Sequence, residues 1–116
     1  MKKIAKSFKD ALRGLLLGLT SGRNMYIALA AMVVVFATGL WLDFAAWHWV
    51  AITLCCMLVI ALEMFNTALE RLCDMIEPYR NNKVRYIKDM MAGAVLWACI
   101  GSAAVFAVIV IHNAGR

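Results

Sequence analysis

At 116 residues, 65% of them hydrophobic, the chain is far more apolar than a soluble domain of roughly 45 to 50%, and is expected to form one integral membrane domain over residues 1–116. The net charge of +5 would suit nucleic acid, but the basic residues are spread as topology signals rather than gathered on a face interleaved with aromatics. Nucleic acid is therefore excluded, and anionic lipid headgroups and a cytoplasmic nucleotide are the expected partners.

With one Pro, seven Gly and no alternating strand pattern, the fold class reads as an all-α membrane protein. Ile4, Ala5, Phe8, Ala11, Leu12, Leu15, Leu16 and Leu19 recur at helical spacing, with Lys2, Lys3, Lys6, Lys9, Asp10 and Arg13 on the other side. This predicts an amphipathic helix over about 4–20 lying in the membrane interface rather than a cleavable signal peptide, which needs a continuous apolar core. Arg13 and Arg23 flank its end, so the helix is also expected to help close a site at the cytoplasmic surface.

After a break at Thr20-Ser21-Gly22, the uncharged run over about 25–42 is long enough to span a bilayer. Asp43 with Trp41, Trp47 and Trp49 marks the far interface. A second span over about 47–69 continues as helix toward Met75 and is stopped by Pro78. A polar connection from Glu77 to Arg85 leads to Lys88 and Asp89, which open a third span over about 90–111. The small residues Gly93, Ala94, Ala98, Gly101, Ser102 and Ala104 are expected to allow close helix approach. Cys55, Cys56, Cys73 and Cys99 lack metal spacing and read as packing residues; His48 and His112, at the ends of spans, read as interfacial or exposed.

The basic residues orient the chain. Lys2, Lys3, Lys6, Lys9, Arg13 and Arg23 precede the first span, Arg71, Arg80, Lys83, Arg85 and Lys88 surround the second connection, and Arg116 alone follows the third span. The positive-inside rule puts the N-terminus and second connection in the cytoplasm and the C-terminus outside. Localisation is the cell (plasma or inner) membrane.

Within the second span, Glu63, Asn66, Thr67, Glu70 and Asp74 fall on one helical stripe. A charge inside a span costs roughly 3 kcal/mol on insertion scales, which makes this stripe a functional-site hypothesis. Glu63 lies two turns, roughly 10 Å, deeper than Glu70. Acids able to hold Mg²⁺ next to a lysine able to meet phosphate oxygens are what phosphoryl transfer from a nucleotide needs. A deeper carboxylate is suited to take a proton from a hydroxyl, and at that depth the hydroxyl belongs to a lipid. The same residues also fit interhelical hydrogen bonding, a proton relay or a transport site.

Glu63-Met-Phe-Asn66-Thr-Ala-Leu-Glu70, Asp74 and Lys88-Asp89-Met90 resemble the E-x-x-N-[ST]-A-[IL]-E…D…K-D-M signature of the small prokaryotic diacylglycerol kinase and undecaprenol kinase family. Ser7-Phe-Lys-x-Ala-x-x-Gly14 and Arg23-Asn24 are similar to its N-terminal pattern. The resemblance implies a homotrimer of chains with three spans and an interfacial helix, using ATP and Mg²⁺, with active sites shared between protomers. It implies Glu63 as general base, Asn66 as an essential polar neighbour, Glu70 as metal ligand, and Lys88 and Asp89 in the nucleotide site. Tyr79, Arg80 and Asn81 match the loop that touches the nucleotide, with different residue types; Arg13 and Asp10 complete the candidate nucleotide-site residues.

The family usually carries a second metal-binding Glu just before the Arg-Asn pair, where this chain has Ser21-Gly22. Asp10, Asp74 or Asp89 then helps hold the metal, or Mg²⁺ binds weakly, or the chain is a binding-only relative. Ala92-Gly93-Ala94-Val95 looks closer to the undecaprenol kinase branch, so undecaprenol is expected over diacylglycerol as the lipid alcohol. A small proton-coupled transporter is the rival outside the enzymes, although that class has four spans.

Overall fold

The computed structural model describes residues 1–79 and 81–115, so Arg80, assigned to the nucleotide loop, and Arg116, used in orienting the chain, lie outside the described residues. It contains helices α1 (Lys2–Leu19), α2 (Arg23–Leu42), α3 (Ala46–Ile76) and α4 (Asn82–Ala114). The last three are long and apolar enough to cross a membrane. A 31-residue helix such as α3 is roughly 45 Å long, against about 30 Å of hydrocarbon. Its acids Glu70 and Asp74 lie toward the C-terminal end of α3.

Local chemistry sets each boundary. The Thr20 hydroxyl donates to the Leu16 carbonyl at 2.8 Å, closing α1 one residue before the expected break. Asp43 ends α2 in the left-handed conformation (φ 56°, ψ 60°), which Asp tolerates better than most residues. Gly39 permits the tight turn there: a Cβ would lie 2.8 Å from the Trp49 ring and 2.9 Å from Phe44. Pro78 disfavours helix at Glu77, and α3 ends at Ile76. The Asn81 side chain then accepts from the Lys83 and Val84 N–H groups at 2.8 and 3.3 Å, so α4 begins well before the charged pair Lys88-Asp89 taken as its opening.

α3 packs along α4 and more lightly on α2, while α1 touches α2 and α3 at few points. The core sits at the end remote from Glu70, where Phe44, Ile52 and Ile109 are buried among Phe36, Trp49 and Phe106. The small residues of the third span do not form this contact. Gly93, Ala94, Gly101 and Ala104 are exposed, and a Cβ at Gly93 or Gly101 would meet nothing within 4 Å. The reason is register: α4 buries Val95 and Ile109, with Val105 and Phe106 packed beside the core.

His112 is exposed as expected, but His48 is not. His48 is fully buried, its Nδ1 accepts the Ala45 N–H at 3.1 Å, and its Nε2 lies 3.3 Å from His112 Nδ1. With Nδ1 an acceptor, the proton of the neutral ring sits on Nε2 and is donated to His112. Asn113 Nδ2 donates to the Leu42 carbonyl at 3.0 Å, so α4 is tied to both α2 and α3 at this end.

Candidate functional site

The predicted stripe divides by depth. Glu63 and Asn66 are buried, 9% and 6% exposed, while Glu70 and Asp74, one and two turns beyond Asn66, are exposed. Asn66 Oδ1 is buried with no hydrogen-bond partner among the described residues. Such an atom costs about 1 to 3 kcal/mol, so this asparagine is not there for the fold.

Glu63 opens on a groove of about 350 Å³ between α2, α3 and α4, whose walls include Ala28, Ala31, Met32, Ile60 and Cys99. Asn24 lines the same groove. The Gly39–Trp49 approach fixes the register of α2 against α3, and counting back about 15 residues on one helix and forward about 14 on the other brings Asn24 level with Glu63. The groove thus has polar groups at the end nearest Glu70 and apolar walls down to Val35 and Ile52. An amphiphile with its hydroxyl by Glu63 has the matching distribution of polarity.

At the outer end, Lys88 Nζ donates to Asp74 Oδ1 at 2.5 Å, joining α4 to α3 across the connection. Asp74, Tyr79, Asn81 and Lys88 line a second, polar pocket of about 210 Å³ together with Glu77 and Arg85. The structure therefore brings the predicted nucleotide residues Tyr79, Asn81 and Lys88 to one place. Asp89 is exposed and faces Arg85, with Nε to Oδ2 3.9 Å. Asp10 and Arg13 are exposed on α1 and make no ion pair among the described residues.

Arg71 was not singled out by its sequence, yet its Nη2 donates to the Ser21 carbonyl at 3.1 Å and fastens the α1–α2 turn to α3 beside Glu70. Arg85 was missed as well. Its signal is the i, i+3 spacing from Lys88, legible only once α4 is extended back to Asn82.

No group of three or more His, Cys, Asp or Glu side chains among the described residues encloses a metal. Mg²⁺ does not require one, since it commonly takes one or two carboxylates and completes its shell with water and substrate phosphates. Glu70, exposed about two turns from Glu63 on α3, fits that part, and the unpartnered Asn66 Oδ1 is an oxygen donor of the kind this ion takes. Near the turn, a Cβ at Gly22 would meet nothing within 4 Å, but the backbone there has φ 158°, which side chains rarely adopt, so a Glu at this place would be strained.

The family model described as prokaryotic diacylglycerol kinase matches residues 9–110, most of α1 and nearly all the rest. An undecaprenol kinase from Bacillus subtilis (strain 168) is 31% identical over 95 residues, covering 82% of this chain and 77% of that protein. No solved structure matches significantly. The match spans the buried Glu63–Asn66 pair, the exposed Glu70 and the Lys88-Asp89 pair alike, and the chain belongs to the prokaryotic diacylglycerol kinase family of membrane lipid kinases.

Proposed function

We propose that the protein transfers the γ-phosphate of ATP to a lipid alcohol within the membrane, with undecaprenol preferred to diacylglycerol. The observation that carries this reading is Glu63, a buried carboxylate opening on an apolar groove with its polar end toward Glu70. A lipid lying in the groove presents its hydroxyl to Glu63, which takes the proton as the oxygen attacks phosphorus. Asn66 Oδ1 orients that hydroxyl or the incoming phosphate complex. Lys88, Asp89, Tyr79 and Asn81 hold the nucleotide, with Arg80 assigned to the same loop. Glu70 holds Mg²⁺, whose contribution is to neutralise phosphate charge. The resemblance of Ala92-Gly93-Ala94-Val95 to the undecaprenol branch and the name of the Bacillus relative both support undecaprenol.

α1 lies in the cytoplasmic interface, where its exposed Ile4, Phe8 and Leu16 enter lipid and its lysines meet headgroups. The N-terminus and the 77–81 connection face the cytoplasm. Three copies assemble, their neighbours covering the stripe that one chain leaves partly open.

A second reading, a catalytically weak relative, is motivated by Ser21-Gly22 in place of the usual Glu. One assay separates the two: transfer of labelled γ-phosphate to undecaprenol and to diacylglycerol, side by side in mixed micelles, across a Mg²⁺ titration. Faster transfer to undecaprenol supports the proposal. Transfer that needs several-fold more Mg²⁺ than a family member retaining the Glu supports the weak relative, and no transfer to either lipid contradicts both.

A further inference from the structure

Among the described residues, the connection pocket holds two cations, Arg85 and Lys88, opposite two acids, Asp74 and Glu77. They are not held alike. Lys88 is 32% exposed and its ammonium is bonded to Asp74 at 2.5 Å, whereas Arg85 and Asp89 meet only at 3.9 Å with side chains 69% and 73% exposed. An exposed i, i+4 pair of that length adds little stability and exchanges readily for a better partner. Lys88 is thus the fixed cation of the pocket and Arg85 the exchangeable one.

The start of α4 adds an independent argument. Its first turn contains Lys83 and Arg85 and no acid, so two cations sit at the positive end of the helix dipole. This opposes the usual preference for acids there, and a local rule broken without a packing gain points to a site completed by something else. An anion at this position reverses the unfavourable charge. Because Asp74 and Glu77 line the same pocket, a bare anion also meets repulsion. A polyphosphate carrying a divalent cation satisfies both signs.

We propose that Arg85 is a further nucleotide-binding residue, its guanidinium exchanging Asp89 for phosphate oxygens of the magnesium-bound polyphosphate one turn before Lys88. This deepens the kinase reading above and rests on it for the identity of the nucleotide. Arg suits the part because its planar fork grips two phosphate oxygens at once, where Lys88 offers a point charge. No bond is made or broken; Arg85 binds and orients.

The test uses the full chain in mixed micelles. Arg85→Ala is expected to raise KM for Mg-ATP about tenfold, the loss of a charge-assisted contact, with kcat and the KM for lipid within about threefold of wild type. Arg85→Lys should recover part of the loss. An unchanged KM for Mg-ATP in Arg85→Ala overturns the inference while leaving the kinase reading intact. Binding of trinitrophenyl-ATP with Mg²⁺, read by fluorescence, answers the same question if the wild-type protein shows no lipid phosphorylation. Weaker binding by Arg85→Ala than by wild type then upholds the role of Arg85 although the kinase reading has failed, and equal binding overturns it. If Arg85→Ala loses its helical circular dichroism, Arg85→Gln, which keeps length and polarity, takes its place under the same criteria.

Discussion

Glu63 and Asn66 differ from Glu70 and Asp74 in their distance from water, and that difference assigns them different work. The pair at depth is poorly provided for by the fold, with Asn66 Oδ1 left without a partner among the described residues. Asn66→Leu, close in volume and without the buried acceptor, is therefore expected to leave the thermal midpoint unchanged or to raise stability by up to about 1 kcal/mol, while lowering kcat more than tenfold. Thermal unfolding in detergent beside a transfer assay checks both halves; a clear loss of stability would mean that Asn66 serves the fold. Gly22 offers the complementary test. Its surroundings are open, but its φ of 158° is one that side chains rarely adopt, so Gly22→Glu should cost about 1 to 3 kcal/mol of stability and, in the folded protein, lower the Mg²⁺ needed for half-maximal activity several-fold. An unchanged Mg²⁺ requirement would show that this position does not reach the metal.

At the scale of the helices, most boundaries were legible because a specific residue causes each one. Thr20-Ser21-Gly22 and Pro78 stop helices for local reasons, and α3 continues as helix to Ile76. α4 begins earlier than the third span expected over about 90–111, because hydropathy marks where lipid begins, whereas the helix begins at its cap, Asn81. The link between His48 and His112 had no local signal at all, since 64 residues separate them and only the antiparallel packing of α3 and α4 brings them together. His112→Ala removes a contact that ties α4 to α3 at this end and should cost about 1 kcal/mol, measured as a lower unfolding midpoint. Gly39→Val should cost roughly 1 to 3 kcal/mol, because its Cβ would intrude on Trp49 and Phe44. Neither change touches the groove's polar end, so kcat of the folded protein should stay near wild type.

For the whole molecule, the flat arrangement of 54 × 44 × 19 Å leaves most large apolar side chains facing outward, as lipid or another copy of the chain would have it. Of the small residues of α4 expected to allow close helix approach, Ser102 lines the groove, while a Cβ at Gly93 or Gly101 would meet nothing within 4 Å among the described residues. If they pack against a neighbouring copy in the proposed trimer, Gly101→Leu should fold normally, since nothing lies within 4 Å of its Cβ, and should reduce cross-linking between copies. A trimer that persists would place the interface elsewhere. The family was legible from the acid stripe and the Lys88-Asp89 pair because their spacing is local in sequence; Arg71 and Arg85 did not stand out, because their contacts depend on which helices meet. The account as a whole rests on Glu63 as the base that serves a membrane-embedded hydroxyl. Its most direct test is Glu63→Gln, comparing labelled phosphate transfer to undecaprenol with Mg-ATP binding in the same micelles. The expected result is a fall in kcat of roughly 10² to 10⁴-fold with nucleotide affinity within about threefold of wild type. Transfer at near wild-type rate would contradict the account, because the one carboxylate facing the apolar groove would then have no part in the reaction.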